Sequence, residues 1–148
     1  MRSYIIRILN GLSKYNLKRN HLVSFSNSAK IEFRKIHFKK NYKSILKIED
    51  NSLIDSTIVF ERDNTSLSIG RNTFIGGAVI SCANNIKIGE NVLIAWGVNI
   101  FDHNSHSLNY LKRRLDLSDL LIGFKSWDDV DMKPVVIEDD VWIGVNSI

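Results

Sequence analysis

The sequence predicts an all-β fold, a parallel β-helix of hexapeptide repeats with a short N-terminal amphipathic helix and a long inserted loop. Isoleucine recurs at six-residue spacing through the second part of the chain. That spacing is interrupted between residues 107 and 136 and then resumes. The 148 residues include a single proline, so nearly every backbone N–H can join a strand ladder.

The basic N-terminal segment, residues 1–29, is predicted to form the helix. Its apolar residues recur at helical spacing, at Tyr4, Ile5, Ile8, Leu9, Leu12 and Tyr15. Residues 1–47 contain twelve Lys/Arg and one acid, whereas the remainder carries a net charge of −7. A solvated helix is the simplest interpretation of the charge, and peripheral association with an anionic membrane surface stays open. We expect the apolar stripe to dock on the rest of the protein, with another subunit or a lipid surface as the alternatives. Aromatic and basic residues are not interleaved in this segment, so we expect no nucleic-acid partner.

Composition restricts the class of protein. With 44% hydrophobic and 24% charged residues, the chain is typical of one globular domain. No window approaches the ~20 apolar residues that cross a bilayer. The single cysteine, Cys82, excludes an intrachain disulfide and a cysteine-built zinc site. No signal peptide is evident, so we expect a cytoplasmic protein, with the inner face of the membrane as an alternative site.

The β-helix domain, residues 30–148, contains eight hexads that each begin with isoleucine. Their first residues are Ile48, Ile54, Ile69, Ile75, Ile88, Ile94, Ile137 and Ile143. Gly, Ala, Asp or Glu follows each of them, and the fifth position is Ser, Thr or Val in all but one. Such a period indicates stacked coils in which three hexads, eighteen residues, close one turn. Each inward isoleucine is expected to pack on the isoleucine of the neighbouring turn.

Residues 48–148 resemble the hexapeptide-repeat acyltransferase superfamily, whose fold is a left-handed parallel β-helix. The stretch Asp-His-Asn-Ser-His-Ser-Leu, residues 102–108, is similar to the segment that carries the catalytic histidine in its sugar and xenobiotic O-acetyltransferases. The resemblance implies a homotrimer that transfers acetyl directly from acetyl-CoA to a sugar hydroxyl of a surface polysaccharide or its precursor. An amine acceptor stays open. Family members continue for at least one coil beyond the position of Ile148, so we expect a truncated C-terminus.

The resemblance also implies site residues. His106 is the expected general base, with His103 as the alternative, and Asp102 is expected to orient an imidazole. The residues implied to line the cleft and the pantetheine arm of acetyl-CoA are Trp142, Gly144 and Val145. The simplest alternative is that both histidines only bond to the backbone at the end of a coil.

Two other functions stay open. One is a non-catalytic hexapeptide-repeat scaffold whose basic arm recruits an acidic partner or a membrane. The other is a zinc enzyme similar to the γ-class carbonic anhydrases, which bind the metal through three histidines of two subunits. His103 and His106 would need His37 or His21 as the third ligand, and neither lies in a matching repeat. We therefore predict no metal site.

Overall fold

A computed structural model describes residues 2–20, 22–39 and 43–147. It shows a β-solenoid of about four turns, mostly of parallel strands, consistent with the left-handed β-helix expected. In chain order its elements are α1 (Arg2–Asn20), β1 (Leu22–Phe25), β2 (Lys30–Ile31), a 3₁₀ helix (Phe33–Lys35), β3 (Ile36–Phe38), β4 (Ile45–Ile48), β5 (Leu53–Phe60), β6 (Ser66–Ile69), β7 (Phe74–Cys82), β8 (Asn85–Ile88), β9 (Leu93–Ile94), β10 (Asn99–Phe101), α2 (Tyr110–Arg113), α3 (Asp116–Leu121), β11 (Val135–Ile137) and β12 (Trp142–Ile143).

Parallel pairing arranges these strands on three faces. The first face is the sheet β1-β4-β6-β8-β11, and the second follows β2-β5-β7-β9-β12. The third consists of β3, β10 and the second halves of β5 and β7, with which they pair. β7 holds one residue more than β5 at its corner, where Gly77 adopts a φ of +66°. Glycine suits this corner because it enters the left-handed region without a steric penalty.

The isoleucine period is confirmed by the strand register. One ladder joins Ile48, Ile69, Ile88 and Ile137, and a second joins Ile54, Ile75, Ile94 and Ile143. A third ladder, which the hexads did not predict, joins Ile36, Ile58, Ile80 and Ile100. The turns are longer than the expected eighteen residues, since residue 45 pairs with 66 and residue 66 with 85. The extra residues lie at the corners, so the inward ladders stay aligned.

Asparagines stack along one corner of the solenoid. Asn51, Asn72, Asn91 and Asp140 each adopt a φ between 55° and 59°, which asparagine and aspartate tolerate best among non-glycine residues. Each asparagine donates its side-chain amide to the next residue of the series, over 3.4, 3.2 and 3.1 Å. This asparagine ladder joins successive turns at the corner where the backbone adopts its unfavourable positive φ angles.

The segment boundaries differ from those expected. β1 pairs with β4, so the solenoid includes Leu22–Phe25 and starts before residue 30. The excursion from the solenoid runs from the end of β10 to the start of β11, residues 102–134, and carries α2 and α3. Within the described ranges, none of the helices combines the length and the apolar character needed to cross a bilayer.

Candidate active site

His106 and Asp116 form an imidazole–carboxylate pair on the excursion. The imidazole Nδ1 is hydrogen-bonded to the Asp116 carboxylate. Nδ1–H is therefore the donor in the neutral ring, and Nε2 carries the lone pair. Nε2 has no hydrogen-bond partner among the described residues, and about half of the His106 side chain is exposed. The pair has the arrangement of a general base held in one tautomer.

The charge of Asp116 suits this role. The hydrogen bond from His106 is the largest cause that holds the pKa of Asp116 below its ordinary range, and the nearby cation of Lys125 adds to it. Lys125 Nζ lies 3.9 Å from Asp116 Oδ2 and donates to the Ser105 carbonyl oxygen at 2.5 Å. Asp116 is therefore ionised near neutral pH, the state that stabilises an imidazolium next to it.

Local structure brings the two residues together. Ser105 adopts a φ of 62°, which turns the chain just before His106. Asn109 caps α2 by accepting a hydrogen bond from the backbone N–H of Leu111 at 3.0 Å. Two short helices then carry the chain back, so that Asp116, the first residue of α3, faces the histidine.

Among the described residues, Asp102 makes no hydrogen bond to an imidazole. It is buried, and its carboxylate accepts hydrogen bonds from the backbone N–H groups of Ala83 and Asn84, at 2.7 and 2.8 Å. These amides lie in the preceding turn, just after β7, where no strand partner takes them. Asp102 therefore joins two turns, and the carboxylate that is hydrogen-bonded to an imidazole is that of Asp116.

His103 is held at both ring nitrogens. Its Nδ1 accepts the backbone N–H of Ser105 at 3.0 Å, so Nε2 carries the proton and donates to Ser81 Oγ, also at 3.0 Å. The edges of Phe101 and Trp127 contact the ring, with centroids 5.6 and 5.2 Å away. Burial lowers the pKa of His103 below its ordinary value. Its contacts are those of a neutral structural histidine, so His106 is the better base.

We predict that His103 makes the fold sensitive to mild acid. Because its pKa is lowered by folding, the unfolded chain binds the proton more tightly, and stability is lost as pH falls below the ordinary value of 6.5. The free energy of unfolding, from urea titrations between about pH 8 and about pH 5, should fall less in His103→Gln than in the wild type. The exposed His37 supplies the control, since His37→Gln should keep the wild-type slope. Equal slopes for wild type and His103→Gln would contradict the prediction.

The expected acetyl-CoA residues share the last described turn. Trp142 is 77% exposed and pairs with Leu93, and Val145 is also exposed. A Cβ added at Gly144 would meet nothing closer than Ser147 Oγ at 3.9 Å, so the backbone there is open. Within the described residues no hydrogen bond or ring contact joins this stretch to His106. The two halves of the expected site are therefore not in direct contact within one copy of the described chain.

Two of the cavities that border the excursion lie beside His103 and Asp116. One of about 310 Å³ lies beside His103 and is lined by Phe101, Asp102, His103, Asn104, Asp131, Lys133, Pro134 and Val135. The other, of about 260 Å³, is next to Asp116 and is lined by Ser107, Lys112, Leu115, Asp116, Asp119, Ser126, Asp129 and Val130. The second combines acidic, basic and apolar groups and adjoins the imidazole–carboxylate pair.

Neither a metal cluster nor a reactive thiol is found in the part of the chain that the structure describes. No group of three or more His, Cys, Asp or Glu residues there could hold a metal ion. His37 is exposed on β3, and His21 lies outside the described residues. Cys82 is fully buried, and burial raises the pKa of its thiol, which keeps it protonated and inert.

Comparison with family models, curated proteins and solved structures found no match. Sequence reasoning missed Asp116, which lies ten residues after His106 inside a segment predicted only as a loop. The available signal was the group of aspartates within that loop, and it does not distinguish Asp116 from the others.

Proposed function

We propose that this chain is an acetyl-CoA-dependent O-acetyltransferase that modifies a sugar hydroxyl of a surface polysaccharide or its precursor. The observation that supports the proposal is the pair of His106 and Asp116 on an excursion from a hexapeptide solenoid. A half-exposed imidazole with a free Nε2 and an ionised carboxylate on Nδ1 is suited to removing a proton from a hydroxyl.

The transfer proceeds without a covalent enzyme intermediate. His106 Nε2 removes the proton of the acceptor hydroxyl, and Asp116 stabilises the imidazolium that results. The acceptor oxygen forms its bond to the acetyl carbonyl carbon while the carbon–sulfur bond breaks. His106 returns the proton to the departing sulfur, so the products are the acetyl ester and a free thiol.

The cavity next to Asp116 is the proposed acceptor site. Asp119 and the ion-paired Lys112 and Asp129 line it, together with the apolar Leu115 and Val130. Carboxylates accept hydrogen bonds from sugar hydroxyls, and apolar side chains pack against the C–H face of a sugar ring. This composition favours a polar, uncharged acceptor over an anionic one.

A homotrimer would complete the site. Four exposed apolar residues form a ladder on the second face: Leu53, Phe74, Leu93 and Trp142. Burial of this ladder against another copy would remove apolar surface from water. It would also place Trp142, Gly144 and Val145 of one copy where acetyl-CoA could reach His106 of its neighbour. Because acetyl-CoA is an intracellular metabolite, we propose a cytoplasmic location.

Acetyl transfer is the test of this proposal. Release of free thiol from acetyl-CoA is measured in the presence of a panel of hexoses and N-acetylhexosamines. We expect Trp142→Ala to raise the KM for acetyl-CoA by about tenfold, the loss of one aromatic contact. Trp96→Ala removes a similarly exposed tryptophan from the preceding turn and should leave that KM within about twofold. If folded protein neither binds acetyl-CoA in calorimetry nor releases thiol, the acetyltransferase proposal is wrong and a scaffold becomes the better interpretation.

A further inference from the structure

Helix α1 contacts the solenoid through the side that is poor in apolar residues. Asn10 Nδ2 donates to the Ile31 carbonyl oxygen at 2.9 Å, and Ser13 and Leu17 are half-buried on the same side. Leu17 packs against the edge of the core. Lys14 Nζ also lies over the phenylalanine ring of β1, 4.7 Å from its centroid. Among the described residues, a hydrogen bond, a leucine and a cation–π contact thus hold the helix against the first turn.

The apolar residues of α1 point the other way. The exposed stripe consists of Ile5, Ile8, Leu9, Leu12 and Tyr15, each between 44% and 65% exposed. At about 100° per residue these five positions span an arc of about 120°, centred opposite the side that carries Asn10 and Leu17. An apolar stripe that faces away from its own domain stays in contact with water until something covers it.

The charge of the helix indicates what covers the stripe. The α1 sequence contains five Lys/Arg residues and no acidic residue. Residues 1–47 as a whole contain one acid, Glu32, which is already paired with Arg34. A second copy of this chain would bring like charges together at α1, whereas an anionic lipid surface would be attracted to them.

We propose that α1 is an interfacial membrane helix, which lies in the plane of an anionic bilayer surface with its exposed stripe among the acyl chains and holds the solenoid at that surface. Helices of this kind combine a basic polar side with an apolar side that sinks about 5–10 Å into the lipid. The solenoid is held on the opposite side of α1, so the stripe can enter lipid without displacing any contact that the structure shows. The proposal is independent of the acetyltransferase activity.

Vesicle co-sedimentation of the full chain tests the proposal. Phosphatidylcholine vesicles with about one third phosphatidylglycerol are compared with pure phosphatidylcholine vesicles. We expect the wild type to bind the anionic vesicles at least about tenfold more tightly. In Ile8→Gln/Leu12→Gln the charge is unchanged, and the partition coefficient should fall at least about tenfold because two apolar side chains no longer enter the lipid. Equal binding to both vesicles, or full binding by the double variant, would overturn the proposal.

Matched controls separate insertion from other effects. Ile45→Gln removes an isoleucine from β4 that is as exposed as Ile8, and it should bind within about twofold of the wild type. Leu9→Gln/Tyr15→Gln, a second pair on the same stripe, should repeat the loss. Sedimentation velocity without lipid should give the same mass for the wild type and both double variants. A lower mass in the variants would mean that a second copy covers the stripe, and the membrane proposal would be wrong.

Discussion

Replacement of His106 by alanine is expected to lower the kcat for acetyl transfer by about 10²–10⁴-fold, the usual contribution of a positioned general base. The side chain is half-exposed and its hydrogen bond is to Asp116 on the excursion, outside the solenoid core. The thermal midpoint and the oligomeric state should therefore stay close to those of the wild type. The measurement is the rate of thiol release at saturating acetyl-CoA, with sedimentation velocity on the same samples.

Two further variants test whether the loss of kcat is specific to the proposed base. Asp116→Asn keeps the shape of the side chain and removes its charge, so the imidazolium loses stabilisation and kcat should fall at least about tenfold. His37→Ala removes an exposed histidine of β3 and should leave kcat within about twofold. If His106→Ala retains more than a tenth of the wild-type kcat, the base is another group and the proposed mechanism fails.

The second large expected effect is a loss of folding stability when Asp102 is replaced. Replacement of Asp102 by alanine should lower the free energy of unfolding by about 3 kcal/mol, because two backbone N–H groups lose a charged acceptor. Urea titration measures this loss. Asp63 supplies the matched control, since its exposed carboxylate accepts the backbone N–H of Lys43 at 2.9 Å. Asp63→Ala should cost less than about 1 kcal/mol, because water can replace that acceptor.

A second variant at Asp102 distinguishes a structural role of this residue from a catalytic one. Asp102→Asn retains an acceptor oxygen and should fold at low temperature. Per folded molecule, its kcat should stay within about twofold of the wild type, because His106 depends on Asp116. A fall of about 10³-fold or more in the folded variant would show that Asp102 orients the imidazole after all.

The solenoid could be predicted because the residues that recur with the six-residue period are the same residues that form its core contacts. An inward isoleucine packs on the isoleucine one turn away, so the hexads that begin at Ile48 and Ile69 lead directly to a pairing that the structure shows. The third ladder escaped detection because Ile58 and Ile80 lie in the second halves of long strands that pass through a corner. There the spacing changes: Ile58 lies four residues after Ile54, and Ile80 lies five residues after Ile75, so neither continues the six-residue period.

The site was less predictable for a physical reason. Asp102 is the sequence neighbour of His103, but its carboxylate is turned inward to satisfy the amides of the previous turn. Asp116 is distant in sequence, and two short helices return it to His106. Hydrogen bonds made within an irregular excursion leave no period in the sequence, so the sequence does not indicate which carboxylate pairs with His106.

The isoleucine and asparagine ladders make the protein a one-dimensional stack. The strand ladders and the asparagine ladder join each described turn to the turn above and the turn below, so the cohesion of the solenoid is close to a sum of nearest-neighbour terms. Such a stack frays from its ends inward. It can also gain turns by duplication, because a turn inserted between two others would make the same isoleucine and asparagine contacts with both neighbours. Length can therefore change over evolution while the excursion that carries His106 keeps its local geometry.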